Sequence, residues 1–342
     1  IMAEKSSCPS SGNSSRRGSG SGKLKKKDVV GSPLPGSAGW LWSDQTLALY
    51  QDARAVVEAG IQQYGSRIYL TRLFLKPCVI LADSEGLKEL FIDKNADFQV
   101  GMDEYFELFG ENLLFMNGME ANLMHSLLYP LFNVEEYSGY KSITTELLSK
   151  WIRDVDTVQP FDVYENTKQF ALLLNLRLYL GLNNEEEPEM FERFSSLASA
   201  HWHGMCSLPV NLRIPGLKSG FGNAVDAKEE LLVLLKERIV TKNDHTFLKS
   251  LSDTMSNEEL QLSHLLVCCC SLVPKAFASV LTSFILLQPR WKHFYQSFEG
   301  KEDKMSALED ILKEVLRLYP PFIGGRRIAL KDTTLMGYTI HK

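Results

Sequence analysis

The segment from Ser306 to Arg327 constrains this chain more than any other stretch. Leu308, Ile311, Leu312, Val315, Leu316 and Leu318 recur at helical spacing, and Pro320-Pro321 stops the helix they define. Ser306 and Glu309 have the spacing of a capping box, which predicts the helix start at Ala307. Glu314 and Arg317 stand three apart, on one face and within pairing reach. Their apolar neighbours place the pair against the core, where a charge needs a partner; the alternative is an ordinary surface pair. Gly324-Gly325-Arg326-Arg327 follows directly.

At 342 residues, 44% hydrophobic and 10% aromatic, the chain is long and apolar enough for one large core or two ordinary ones. A net charge of −5 gives no footprint for nucleic acid, and basic residues cluster only near the N-terminus. Cys8, Cys78, Cys206 and the triplet Cys268-Cys269-Cys270 show neither CxxC spacing nor a secreted framework, so no metal site is expected and a reducing compartment is. No uninterrupted apolar run is expected to span a bilayer.

Residues 1–36 are rich in Ser, Gly, Pro and Lys, which predicts a disordered tail. Its Lys23–Lys27 run is either a solvated linker or a contact for anionic lipid. Residues 37–342 read as one mainly α domain with small β-sheets. A helix over Leu47–Tyr64 precedes strands at Arg67–Leu75 and Cys78–Ala82, with Lys76-Pro77 as the turn, and a helix from Gly86 follows. Further helices are expected at Ala121–Phe132, Glu135–Val155, Val163–Leu182, Pro188–Ser199, Val225–Val240, Glu258–Leu287 and Ala307–Leu318. Ser256 and Glu259 offer a capping box for the long one. Pro274 removes a helical hydrogen bond there and predicts a kink near residue 270. Ile328–Leu330 and Tyr338–Ile340 suggest a hairpin.

The Glu-Val-Leu-Arg-x-x-Pro-Pro-x-x-Gly-Gly-x-Arg pattern resembles the K-helix region of the cytochrome P450s, and it looks most like the retinoic-acid-hydroxylase branch. The resemblance covers roughly residues 40–342. It implies a P450 fold, incomplete at the C-terminus, with haem b held by a cysteine thiolate whose loop follows the K helix. The chain ends at Lys342, before that loop, and this predicts no turnover by these 342 residues alone. It begins at Ile1, so a family-type membrane anchor is either upstream or absent.

The resemblance also implies roles. Arg327 matches the arginine that binds a haem propionate. His125 falls where the family has a second propionate-binding arginine, with Ala121 at the preceding aromatic position; it is either a weaker haem contact or a surface histidine. Glu314 and Arg317 become a structural pair. In the long helix, Pro274, Lys275, Ala276 and Phe277 stand where the family places the acid and alcohol that deliver protons to bound dioxygen. Lys275 cannot replace that acid, and it is either a specialised residue or one snorkelling to water. Phe98–Gly101 would border the substrate pocket. His201-Trp202-His203, Pro209–Pro215 and Phe221 would line the channel or face a membrane. Cys268–Cys270 reads as core packing.

As a family member the complete protein would be a monooxygenase acting on a small, apolar, lipid-like substrate. NADPH would serve only through a P450 reductase, and a membrane surface, that of the endoplasmic reticulum by analogy, is a possible partner. Two alternatives stay open. One is a P450 that rearranges pre-oxygenated lipids without reductase. The other is a haem-free lipid-binding remnant.

Overall fold

The computed structural model describes residues 31–132, 139–155, 162–211, 213–214, 217–322 and 324–342. Helices α1 (Thr46–Gln51) and α2 (Ala53–Tyr64) lead into an antiparallel hairpin of β1 (Ile68–Leu73) and β2 (Lys76–Leu81). Short α3 (Ser84–Lys88), strand β3 (Phe98–Val100) and α4 (Phe106–Phe109) follow. The helical body is α5 (Gly118–Leu128), α6 (Gly139–Asp154), α7 (Val163–Leu180), α8 (Pro188–Met205), α9 (Gly220–Thr241), α10 (Thr246–Thr254), α11 (Glu258–Leu265), α12 (Leu272–Leu286), α13 (Gln288–Gln296) and α14 (Lys301–Leu318). A two-residue hairpin, β4 (Arg213–Ile214) and β5 (Leu217–Lys218), sits between α8 and α9. Strands β6 (Arg327–Ala329), β7 (Thr333–Leu335) and β8 (Tyr338–Ile340) close the chain.

The largest core cluster joins α7, α8, α9 and the α11–α12 segment through Leu172, Leu176, Phe194, Trp202, Leu231, Leu235, Leu266 and Cys269. Burial on this scale is the main stabilising term in such a fold. One polar tie organises it. Arg238 of α9 is 4% exposed; its guanidinium donates to the carbonyls of Leu180 and Gly181 (both 2.9 Å) and forms a bidentate pair with Glu187 (2.6 and 2.9 Å). It thereby satisfies carbonyls at the end of α7, where Gly181 adopts φ 58°, and grips the residue that opens α8. The arginine holds the carboxyl of Glu187 below its usual range, through the hydrogen bond first.

Several local expectations are corrected. The β1–β2 turn is Phe74-Leu75, both left-handed (φ 53° and 60°), and Pro77 sits inside β2 opposite Arg72. Asp44 makes this conformation affordable by accepting from the Leu75 N–H at 2.7 Å, while Thr46 accepts from Phe74. Ile328 pairs not with Tyr338–Ile340 but with β3, in the register Phe98↔Ala329 and Val100↔Arg327; β7 pairs with β8 instead. Helix α14 starts at Lys301 behind Gly300, so Ser306 lies within it and caps nothing. Acidic Glu302 and Asp303 in its first turn suit that earlier start. At α11 the cap is Asn257, accepting from the Leu260 N–H at 3.1 Å, one residue after Ser256. Helices α10 and α13 were not anticipated; α10 is a short amphipathic helix that buries Phe247, Leu248 and Leu251.

Residues 31–36 depart from the tail reading. Gly31 donates to Thr339 Oγ1 (3.0 Å), Ser32 bridges to Tyr338, and Leu70 donates to the Pro35 carbonyl (2.8 Å). Residues 1–30, the first turn expected for the Glu135 helix and Pro215 lie outside the described residues.

Replacing Arg238 with Met is expected to cost about 3–5 kcal/mol, because carbonyls and one carboxylate lose a buried partner. Urea unfolding of the variant beside the wild type measures it.

Candidate functional site

The break in the central helix is the chemically distinctive place. Helix α11 passes into one π-helical turn, Leu266–Cys270, and Ser271 leaves helical geometry altogether (φ −127°, ψ −106°) before α12 begins. The kink expected near residue 270 is therefore present. Its cause is legible atom by atom. Pro274 has no N–H to give the carbonyl of Cys270, four residues earlier. The Trp202 indole N–H, from α8, donates to that carbonyl at 2.6 Å. By length and composition Glu258–Leu286 is long and apolar enough to cross a membrane. Here it is interrupted, and it packs along α7 and α9 as a core element.

Around the break stand three polar side chains, those of Ser271, Lys275 and His201. The Ser271 hydroxyl is buried and has no partner among the described residues. Lys275, one turn on, reaches the Trp202 carbonyl at 3.4 Å and Cys206 Sγ at 3.2 Å. Its two contacts are a carbonyl and a thiol; neither carries a compensating charge. His201 is fully buried; its Nε2–H donates to the Leu108 carbonyl (3.0 Å), which leaves Nδ1 an acceptor without a donor. Burial pushes its pKa down to about 4. Val273 and Phe277 keep exposed surface on the opened turn, at 40% and 37%.

The HWH segment thus splits. His201 and Trp202 are core residues rather than membrane-facing ones, and His203 is exposed with Nδ1 on the Ser199 carbonyl. Cys268, Cys269 and Cys270 pack in the core as small hydrophobes; burial pushes the Cys268 thiol up to about 12. Among the described residues no His/Cys/Asp/Glu group has the makings of a metal site.

Glu314 and Arg317 form the expected pair, two bonds of 2.6 and 2.7 Å. The expectation that it lies inside is corrected: the side chains are 55% and 66% exposed, so the pair acts at the surface of α14. Of the two adjacent arginines, Arg326 is the more sheltered. It meets Glu104 at 3.1 Å and lies over the rings of Phe74 and Tyr105. Arg327 projects from β6, stacks on Phe91 at 5.1 Å and donates to its neighbour's carbonyl. Burial lowers its pKa. His125 is exposed on α5. One hydrogen bond joins the two elements: the Val100 N–H, opposite Arg327, donates to Asn117 Oδ1 at the start of α5 (2.8 Å). Phe98–Gly101 is therefore strand and strand end, not open loop.

A haem would require apolar walls and cations for two carboxylates. Arg327 and His125 fit the propionates chemically, on elements that Asn117 holds together, and the exposed apolar side chains Leu123 of α5 and Phe277 of α12 suit the ring. Of the triplet thiols, Cys269 and Cys270 are buried in the core and offer the iron no ligand.

No family model matches the chain. It is 25% identical over 363 residues to cytochrome P450 26A1 of Xenopus laevis, covering 93% of this chain and 72% of that protein. It is 22% identical to beta-amyrin 28-monooxygenase of Vitis vinifera, over 90% and 71% respectively. Among solved structures it resembles the retinoic-acid-bound cyanobacterial CYP120A1 with a TM-score of 0.77 at 21% identity, covering 92% of this chain and 75% of that one. The chain thus spans about seven tenths of the length of these relatives.

Two outcomes follow. Trp202→Phe keeps the ring and removes the donor, leaving the Cys270 carbonyl unsatisfied; a loss of about 1–3 kcal/mol is expected in urea unfolding. His201 stays neutral in the fold down to about pH 4, whereas the unfolded chain takes up its proton near 6.5. Between those values the unfolded state binds more protons, so the contribution is complete above pH 6.5 and falls away as pH drops towards 4. The loss is on the order of 3 kcal/mol. Stability measured against pH for wild type and His201→Gln should differ in slope in that window.

Proposed function

We propose that this chain, which has the cytochrome P450 fold and P450 monooxygenases as its curated relatives, belongs to a haem-dependent hydroxylase of apolar, lipid-like molecules. The observation that carries the reading is the opened central helix. A turn freed from helical bonding lies beside exposed Val273 and Phe277, within a fold whose solved counterpart binds retinoic acid. The chemistry of dioxygen activation is supplied by haem, with electrons from NADPH passed on by a reductase. Arg327 would hold one propionate by charge-assisted bonds, and His125 the other more weakly. Glu314 and Arg317 would fix the last turn of α14, from which the chain leads to β6 and Arg327. Substrate would lie against the apolar turn of α12, where the water-poor surface favours a hydrocarbon over a polar molecule.

A second reading has its own support. Pro274 and Lys275 offer no acid beside an alcohol, and a P450 that rearranges a lipid hydroperoxide has no need of that pair. A membrane surface, with the Lys23–Lys27 run as its cationic contact, is proposed as a partner in either case.

The native protein, produced with haem precursor and tested with reductase and NADPH, should convert an apolar terpenoid acid such as retinoic acid to a product one oxygen heavier. Turnover of a fatty-acid hydroperoxide without NADPH would favour the second reading. A preparation with no Soret band would sink both. In the same preparation Arg327→Ala is expected to lower haem retention several-fold and His125→Ala less so, read from the ratio of Soret to protein absorbance.

A further inference from the structure

Cys206 closes α8, Lys275 lies in the first turn of α12, and their side chains touch, with Nζ 3.2 Å from Sγ. Among the described cysteines Cys206 is the exposed one. Cys269 and Cys270 are buried in the core, and Cys78 is turned to the Leu73 carbonyl at 3.7 Å. Burial pushes the thiols of Cys78 and Cys268 up, the latter to about 12, which leaves them little of the thiolate that reacts with oxidants. Cys206 is thus the described thiol open to a small oxidant in water, and an amine nitrogen already stands beside it. The contact is held from both helices. The Trp202 indole N–H fixes α8 to the Cys270 carbonyl at 2.6 Å, and the Lys275 backbone N–H donates to the Ser271 carbonyl at 3.1 Å. A Cβ at Gly204 would stand 2.3 Å from that of Ala224, so the last turn of α8 also lies tight on α9. Nitrogen and sulfur are therefore kept at about the 3–3.5 Å of a near-attack arrangement.

We propose that Cys206 and Lys275 are an oxidation site, at which a small peroxide joins them as a sulfenamide and so links α8 covalently to α12. The Cys206 thiol gives its proton to water, and the sulfur attacks one oxygen of hydrogen peroxide. The O–O bond breaks, and the departing hydroxide takes a proton from the Lys275 ammonium and leaves as water. Cys206 is then a sulfenic acid, and Lys275 a neutral amine. The amine nitrogen attacks the sulfur, the S–O bond breaks, and the hydroxide leaves with the surplus amine proton as a second water. Sulfur has lost two electrons, and one peroxide has become two waters. A thiol reductant reverses the link: two thiols become a disulfide, and Cys206 and Lys275 regain their hydrogens. A purely structural lysine, seated on the carbonyl end of α8, would let the sulfenic acid oxidise further and would form no link. The reaction needs no haem and does not rest on the hydroxylase reading.

The test treats the full chain with hydrogen peroxide, digests it with trypsin in the absence of reductant, and maps the peptides by mass spectrometry. The peptides that carry Cys206 and Lys275 should appear joined, lighter than their sum by about 2 Da, the mass of two hydrogens. Cleavage after Lys275 should be lost with its free amine, and dithiothreitol should restore both the cleavage and the separate peptides. Iodoacetamide labelling of Cys206 should fall several-fold after peroxide and recover on reduction. A disulfide has the same mass change, so Lys275→Arg is the deciding variant: it keeps the cation and removes the amine, and the joined species should vanish. Should that variant fail to fold by circular dichroism, the sequenced fragments of the wild-type joined peptide still locate the bond. Three results would overturn the assignment: Cys206 recovered as sulfinic acid with cleavage after Lys275 intact, Cys206 joined to another cysteine, or a joined species that persists in Lys275→Arg.

Discussion

The structure turns on one carbonyl. Pro274 cannot donate to Cys270, so a chain threaded through the middle of the core carries an acceptor that its own helix leaves empty. An unpaired buried carbonyl costs about as much as a lost hydrogen bond. Trp202 meets it at 2.6 Å, and in doing so fixes α8 against the break between α11 and α12. The rest of the distinctive geometry follows from that contact. It places the Trp202 carbonyl and Cys206 beside Lys275 and sets His201 against Leu108 of α4.

The cations divide into two kinds. Arg238 and Arg326 have carboxylate partners and join elements together: Arg238 ties α7, α8 and α9, and Arg326 ties the β6 approach to Glu104 and the β1–β2 turn. Lys275 and Arg327 have no carboxylate partner among their contacts: half-buried Lys275 meets a carbonyl and a sulfur, and exposed Arg327 a ring and a neighbouring carbonyl. Paired cations in a fold explain themselves.

The helical body and the hairpin near residue 75 were legible because apolar periodicity reports which face is buried, and both have long, clean periods. The break at residue 270 was legible too, since a proline inside a helix has a fixed consequence. Its partner was not: nothing in the spacing of Trp202 reveals that it lies beside Cys270, and only the three-dimensional packing of α8 decides this. Arg238 went unread for the same reason, being a basic residue on a helix with no acid three or four residues away. The misread turn at Phe74-Leu75 has a local cause. Two non-glycine residues in the left-handed region contradict ordinary turn chemistry, and it takes Asp44 and Thr46, some thirty residues earlier, to hold them. Glu314 and Arg317 show the converse. Their spacing announced the pair correctly, but three-residue spacing is silent on whether solvent reaches it.

The same break also limits what chemistry the central helix can perform. At position 275 it carries an ammonium and not a carboxylate, so the opened turn presents positive charge rather than negative. The proline and the lysine that follows it act on different levels: the first removes a backbone hydrogen bond, the second sets the charge of the turn. Trp202 touches both, since its indole N–H meets the Cys270 carbonyl that the proline leaves free and its own carbonyl accepts from the Lys275 ammonium.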